Sequence, residues 1–424
     1  MFSNASQLKE KLSVFSLILL IFLNYFLLLI IKTNFFFHIF GILILLNFVL
    51  CIYLNFKNNK FIITIFCVLC VISLMSPVAD WDARSIWLFN AKIIFFENNL
   101  NNFFDYNPYY SHPDYPIFVP VLSATLATVI GDWNEIFPKF SSLILALPPL
   151  IILTKNLKNK LSLLIFIILI LFVYEKRIIN GEIDALLSLY SILLLNLIID
   201  IVDKKFSDKQ YKIDLTLITL NLIIITLLKV EGVAIIFCIL FAYLVIYGKS
   251  KVDLTKTFMV LFLLSLVPIF YWSIYSNNFI EMTSARMMLG TGERLIHNLF
   301  DFKFILHLIN KILINKQMFI SLLVFVFIFS KGIIFNEKKK IINFDTIIFE
   351  KKLRFCFLTI FLYSVVLTAV MIISEGSTYN VPIKYFMADT AADRYFAPIQ
   401  SMLVLCSIYF LEAKKPKKNS FSYD

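Results

Sequence analysis

Two carboxylates and a guanidinium stand together in Asp80-Trp81-Asp82-Ala83-Arg84, directly after an apolar run, and His112-Pro113-Asp114-Tyr115-Pro116 follows in the same polar stretch. A carboxylate can take the proton from an attacking hydroxyl, and a neighbouring cation can hold an anionic leaving group. Charge of mixed sign beside hydrocarbon costs free energy unless it meets water or a partner, so this cluster is a candidate functional site. The competing reading of Asp80 and Asp82 is a solvated turn or a helix N-cap. Further along, Lys92, Asp132, Glu135, Lys229, Glu231, Arg394 and Tyr395 fall between apolar runs. Trp81, Trp87, Tyr109, Tyr110 and Tyr115 suit stacking on a sugar, or equally an aromatic belt at a membrane interface.

The elements that must position these groups are membrane helices. Of 424 residues 60% are hydrophobic and 16% charged. Apolar runs of roughly 20 residues recur between Ser13 and Leu411, the length at which a helix crosses a bilayer with its own backbone satisfied. An all-α polytopic bundle of about twelve spans is expected, at 13–31, 35–55, 61–78, 140–154, 161–178, 184–201, 213–229, 232–248, 256–274, 318–335, 354–374 and 395–412. The 46 Phe read as lipid-facing filler. The first run is long and lacks a small-residue cleavage site, so it reads as a retained helix. The six Cys all lie within apolar runs, and Cys67 and Cys70 have no His or carboxylate neighbours, so neither a metal site nor a disulfide framework is expected.

Sidedness follows from the lysines. With Lys9 and Lys11 inside, alternate connections place Lys155/Lys158/Lys160, Lys204/Lys205, Lys249/Lys251, Lys338–Lys340 and Lys414–Lys418 on the same side. That is the positive-inside pattern, and the net charge of +11 is mostly its by-product, not a mark of nucleic-acid binding. The pattern requires that 117–131 does not cross. It reads as a helix in, or dipping into, the outer interface, within one large outward loop over 79–139. The division is then a two-helix extension (1–60), a catalytic membrane region (61–412) and a basic tail (413–424).

The order of these pieces resembles the GT-C membrane glycosyltransferases, such as lipid A aminoarabinose transferases and protein O-mannosyltransferases. Asp80-Trp81-Asp82 holds the place of their acid in the first outward loop, and Ile86-Trp87-Leu88-Phe89-Asn90-Ala91-Lys92 resembles their juxtamembrane helix. His112-Pro113-Asp114-Tyr115-Pro116 resembles the basic, proline-containing segment before an interfacial helix, though it departs from the usual Lys-Pro-Pro or His-Pro-Pro-Leu-Gly. Weaker matches are Gly181-Glu182-Ile183-Asp184 opening a span, Leu228-Lys229-Val230-Glu231-Gly232 as an outward turn, and Asp393-Arg394-Tyr395-Phe396-Ala397-Pro398 opening a late span.

The resemblance implies an inverting glycosyltransferase that uses a polyprenyl-phosphate-linked sugar and a glycan, lipid or protein acceptor. The reaction would take place at the outer face of a bacterial inner membrane. It implies Asp82 as general base with Asp80 second, and Arg84, Lys92, His112, Asp114, Tyr115, Lys229, Glu231, Arg394 and Tyr395 around the substrates. Arg394 and Lys229 are the candidates for the phosphate. No cofactor is implied beyond the lipid-linked donor; a divalent metal is left open. An O-antigen ligase or polymerase uses the same donors but tends to carry its large loop late. A transporter or flippase is the rival of another class, but carriers show repeated halves and Gly- or Pro-interrupted helices. Here there are nine Gly and no repeat between the halves.

Overall fold

The computed structural model describes residues 2–78, 80–105, 112, 115–155, 157, 160–174, 177–204, 209–277, 344–373 and 395–412, with 300–303, 306, 310, 318, 321–323 and 326 between 277 and 344. Among them the protein is all-helical. The elements are α1 (Phe2–Ile31), α2 (Phe37–Phe56), α3 (Lys60–Met75), α4 (Leu88–Glu97), α5 (Phe118–Ile130), α6 (Ser141–Thr154), α7 (Lys160–Ile168), α8 (Arg177–Asn180), α9 (Ile183–Val202), α10 (Lys209–Leu228), α11 (Glu231–Tyr247), α12 (Val252–Asn277), α13 (Phe344–Ile373) and α14 (Ala397–Glu412). Wide π-type turns lead into α4 at Ala83–Trp87 and extend α7 at Leu169–Val173.

Helices stand at eleven of the twelve expected spans, and 318–335 falls largely outside the described residues. Among the described residues six stretches are both long and apolar enough to cross a membrane: Lys9–Ile31, Phe37–Phe56, Ile183–Val202, Gln210–Leu228, Val252–Ser276 and Lys351–Val370. Shorter apolar helices accompany them. The short α6 is buried along its whole length, as is nearly all of the long α9. At 1.5 Å per residue, the 14 residues of α6 rise only about 21 Å against about 30 Å of hydrocarbon.

α5 is one of these short helices, and it dips rather than lying flat. Its Phe118 packs on Phe22 and Tyr25 of α1, while Thr128 near its other end meets His38 at the start of α2. Phe22 is nine residues before the end of α1, so Phe118 sits about 14 Å below that end. Asn24 donates to Thr125 (2.7 Å), and Gly41 of α2 lets the two helices close up, since a Cβ there would fall 2.2 Å from Val129 Cγ2. The segment 1–60 shares one continuous core with the rest of the protein. Many Phe are also internal rather than lipid-facing: Phe22, Phe37, Phe66, Phe103, Phe118, Phe166 and Phe258 are all buried.

The two ends of the bundle differ. At one end Asp214, fully buried, accepts from Lys11, Lys204 and Gln210, while Glu10 pairs with Lys155 (3.2 Å) and accepts from Asn58. This network ties α1, α6 and α10 together where the lysine-rich connections gather. The opposite end carries Asp80, the 83–97 helix, the Gly181 turn and the α10–α11 turn.

Candidate active site

Three chain reversals build a polar cluster at that opposite end. α3 stops because Pro77 disfavours the helical conformation in the residue before it, and Ser76 is accordingly extended (φ −99°, ψ 142°). Its end is held by three bonds: Ser73 Oγ donates to Ile179 O (2.8 Å), and the buried Lys139 ammonium donates to Ser76 O and Ser76 Oγ. The second reversal is Gly181, between α8 and α9, at φ +88°. This left-handed conformation is accessible to glycine at little cost, and it aims Asn180 and Glu182 back at Asp80. The third is the α10–α11 turn. There Gly232 lies so close to α10 that a Cβ would fall 2.1 Å from Ile225 O, which sets Lys229 and Glu231 side by side.

The carboxylate bonded into the cluster is that of Asp80. Asn180 Nδ2 donates to Asp80 Oδ2, and Glu182 hydrogen-bonds to Asp80 through its side chain. Burial, together with Asp80 and Asp184, pushes the Glu182 carboxyl up to about 8, against the pull of Arg177 at 3.7 Å. Glu182 therefore keeps its proton to a higher pH than an ordinary carboxyl group, and it shares a hydrogen bond with Asp80. Asp184, in the first turn of α9, pairs with Lys229 (3.0 Å), which also approaches Glu231 (3.6 Å) and lies over the Tyr395 ring (4.8 Å). Burial alone would lower the Lys229 pKa, but Asp184 and Glu231 outweigh it and hold the ammonium well above its ordinary value. Arg177 and Lys229 are thus two buried cations flanking two buried acids.

An aromatic wall adjoins them. His112, with φ +49°, stacks on Tyr115 (4.8 Å), and Tyr115 stacks on Trp87 (5.6 Å). Tyr115 is near enough to Lys229 to act on its charge.

Of the residues singled out in sequence, the structure brings Asp80, Tyr115, Lys229, Glu231 and Tyr395 together, with His112 on the wall. Asp82 starts the π turn and makes no cap bond to it, and it is partly exposed. Arg84 and Lys92 project elsewhere. They line a groove of about 750 Å³ on the other face of the 83–97 helix, and no residue of the cluster lines that groove. Arg84 pairs there with Glu135 (3.2 Å). Asp114 and Arg394 lie outside the described residues. The sequence reading passes over Arg177, Asn180, Glu182 and Asp184 because they sit at the mouth of an apolar run about 100 positions from Asp80. The Gly181-Glu182-Ile183-Asp184 turn is the one signal that points to them. Among the described residues no three His, Cys, Asp or Glu side chains group as metal ligands. No family model, curated protein or solved structure matches this chain.

Proposed function

We propose that this protein is an inverting membrane glycosyltransferase of GT-C type that moves a sugar from a polyprenyl-phosphate carrier to a hydroxyl acceptor. In this reading it spans a bacterial inner membrane about twelve times, with the lysine-rich end inside and the acidic cluster facing out. The observation that carries the reading is the Asp80–Glu182 pair: two hydrogen-bonded carboxyl groups, one of them also bonded by the Asn180 amide, with two buried cations at the same end. That set contains both a base and anion-stabilising groups, as transfer from a phosphate carrier requires.

The chemistry then runs as one displacement. Asp80 accepts the proton of the acceptor hydroxyl, the hydroxyl oxygen bonds to the anomeric carbon, and the bond from that carbon to the phosphate oxygen breaks. Arg177 and Lys229 are the cations available to the departing phosphate, with Arg394 as the further candidate that the sequence adds. Asp80 takes the role of base in preference to Asp82, because Asn180 holds its carboxylate inside the cluster, whereas Asp82 stands at the start of the π turn.

The test is release of undecaprenyl phosphate from a panel of undecaprenyl-phosphate sugars, with cell-envelope extract as acceptor source. Asp80→Asn should lower turnover ~100- to 10,000-fold, the scale of a lost general base, with Asp82→Asn affected far less. A dead Asp82→Asn beside an active Asp80→Asn reverses the assignment. No donor consumption by the wild-type protein with any sugar in the panel removes the transferase reading.

A further inference from the structure

The groove behind the 83–97 helix has no part in the transfer chemistry, and its own composition is selective. Trp81, Arg84, Lys92 and Glu97, from the segment that carries the 83–97 helix, line it together with Trp133 and Glu135. Arg84 and Glu135 pair at 3.2 Å while remaining 58% and 41% exposed, so both can also reach a ligand. Two cations and two carboxylates make the groove electrically balanced. A purely anionic ligand would face two carboxylates, and a purely cationic one two cations. The buried indole N–H of Trp133 has no acceptor, and Trp81 is 63% exposed. An interfacial aromatic belt accounts for an exposed tryptophan, but not for matched charges of both signs around an orphaned donor.

We propose that this groove binds the headgroup of a zwitterionic phospholipid. The phosphate is drawn to the cationic wall of Arg84 and Lys92, where the guanidinium offers its planar fork and the ammonium a point charge. The headgroup ammonium is drawn to Glu97 and Glu135 and to the indole faces, which attract cations through their ring quadrupoles. The volume of about 750 Å³ accommodates a headgroup and its glycerol, and the groove is lined by the 83–97 helix at the Asp80 end of the bundle.

Native mass spectrometry of the purified protein, equilibrated with equal parts phosphatidylethanolamine, phosphatidylcholine and phosphatidylglycerol, tests this directly. The two zwitterionic lipids should be retained roughly tenfold over phosphatidylglycerol, the scale of one charged contact. Glu97→Gln with Glu135→Gln turns the groove cationic and should shift retention to phosphatidylglycerol. Arg84→Gln with Lys92→Gln should lose retention of all three. These residues lie on an accessible surface, and thermal unfolding of each variant checks that it is folded. Equal retention of the three lipids, a wild-type preference for phosphatidylglycerol, or a preference that the charge variants leave unmoved overturns the proposal. Asp80→Asn should retain lipid as the wild type does, so failure here and failure of the transferase reading are separable.

Discussion

Burial and two neighbouring acids push the Glu182 carboxyl up to about 8, far above the ordinary range of a glutamate. Below that value it is neutral and stabilises the Asp80 carboxylate by donating to it. Above it, a further negative charge appears beside Asp80 and Asp184, where a phosphate donor must approach. Turnover at low donor concentration should therefore fall as pH rises through about 8, and Glu182→Gln, which stays neutral, should remove that alkaline limb. The same residue carries a stability signature. Its folded pKa of about 8 lies above the ordinary 4.5, so between these values the folded state binds more protons than the unfolded one. Stability must then decline as pH rises across this window, by an amount on the order of a few kcal/mol, and level off above it. Thermal unfolding at pH 5.5 and pH 9 should show the decline in the wild type and a shallower one in Glu182→Gln. Identical slopes in the two proteins would mean that Glu182 is already ionised at neutral pH. At this scale the sequence displays half of the site. Asp80 advertises itself through Trp81, Asp82 and Arg84, whereas Glu182 and Asp184 look like the polar start of a span until the Gly181 turn folds them against Asp80.

Between elements, small residues set how closely helices approach, because lipid tails give apolar helices little reason to prefer one another over solvent. The α10–α11 hairpin shows the consequence for the site. A methyl group at Gly232 would fall 2.1 Å from Ile225 O and 2.8 Å from Ile225 C, and a backbone group cannot swing aside as a side chain can. Gly232→Ala should therefore force α10 and α11 apart, cost about 1–3 kcal/mol as overpacking does, and loosen the Lys229–Asp184 pair. Gly41→Ala is the matching control, since its nearest neighbour is the end of the Val129 side chain. The measurement is thermal stability with turnover for both variants. Gly232→Ala should lose more of each, and equal effects would deny the α10–α11 contact its special place. Helix positions were legible from the apolar runs, since length and hydrophobicity are local properties. The depth of α5 was not, because it depends on the pairing of Phe118 with Phe22 and Tyr25, and of Ser123 with Ser141 (2.7 Å), across distant parts of the chain.

Across the whole molecule the two ends carry opposite logic. One holds Glu10, Lys11, Lys155, Lys204 and Asp214 in a compact ionic network, and the other gathers acids and aromatics around Asp80 and Tyr115. Lysines concentrate where translocation leaves them behind, which is why the proposed topology puts the network end inside and the Asp80 end outside. The arrangement of α5 bears on this. It is a 13-residue helix of about 20 Å that shares the Asp80 end with α4, and the proposed topology has it return without crossing. Asn101 and Asn134, on either side of α5, should then face the same compartment, with Lys249 facing the other. In a background lacking the six native Cys, single cysteines at Asn101 and Asn134 should react in intact cells with a thiol reagent that cannot cross the membrane. A cysteine at Lys249 should react only after permeabilisation. Lys249 is exposed, so protection there reports the membrane rather than protein packing. Asn134 is partly buried, and its side chain caps Phe137 N (2.8 Å), so denatured-state labelling serves as its reference for access. Labelling of Asn101 with protection of Asn134 would make α5 a crossing. Every later helix would then reverse direction, placing the Asp80–Glu182 pair and the lysine-rich network on sides that the charge distribution does not support.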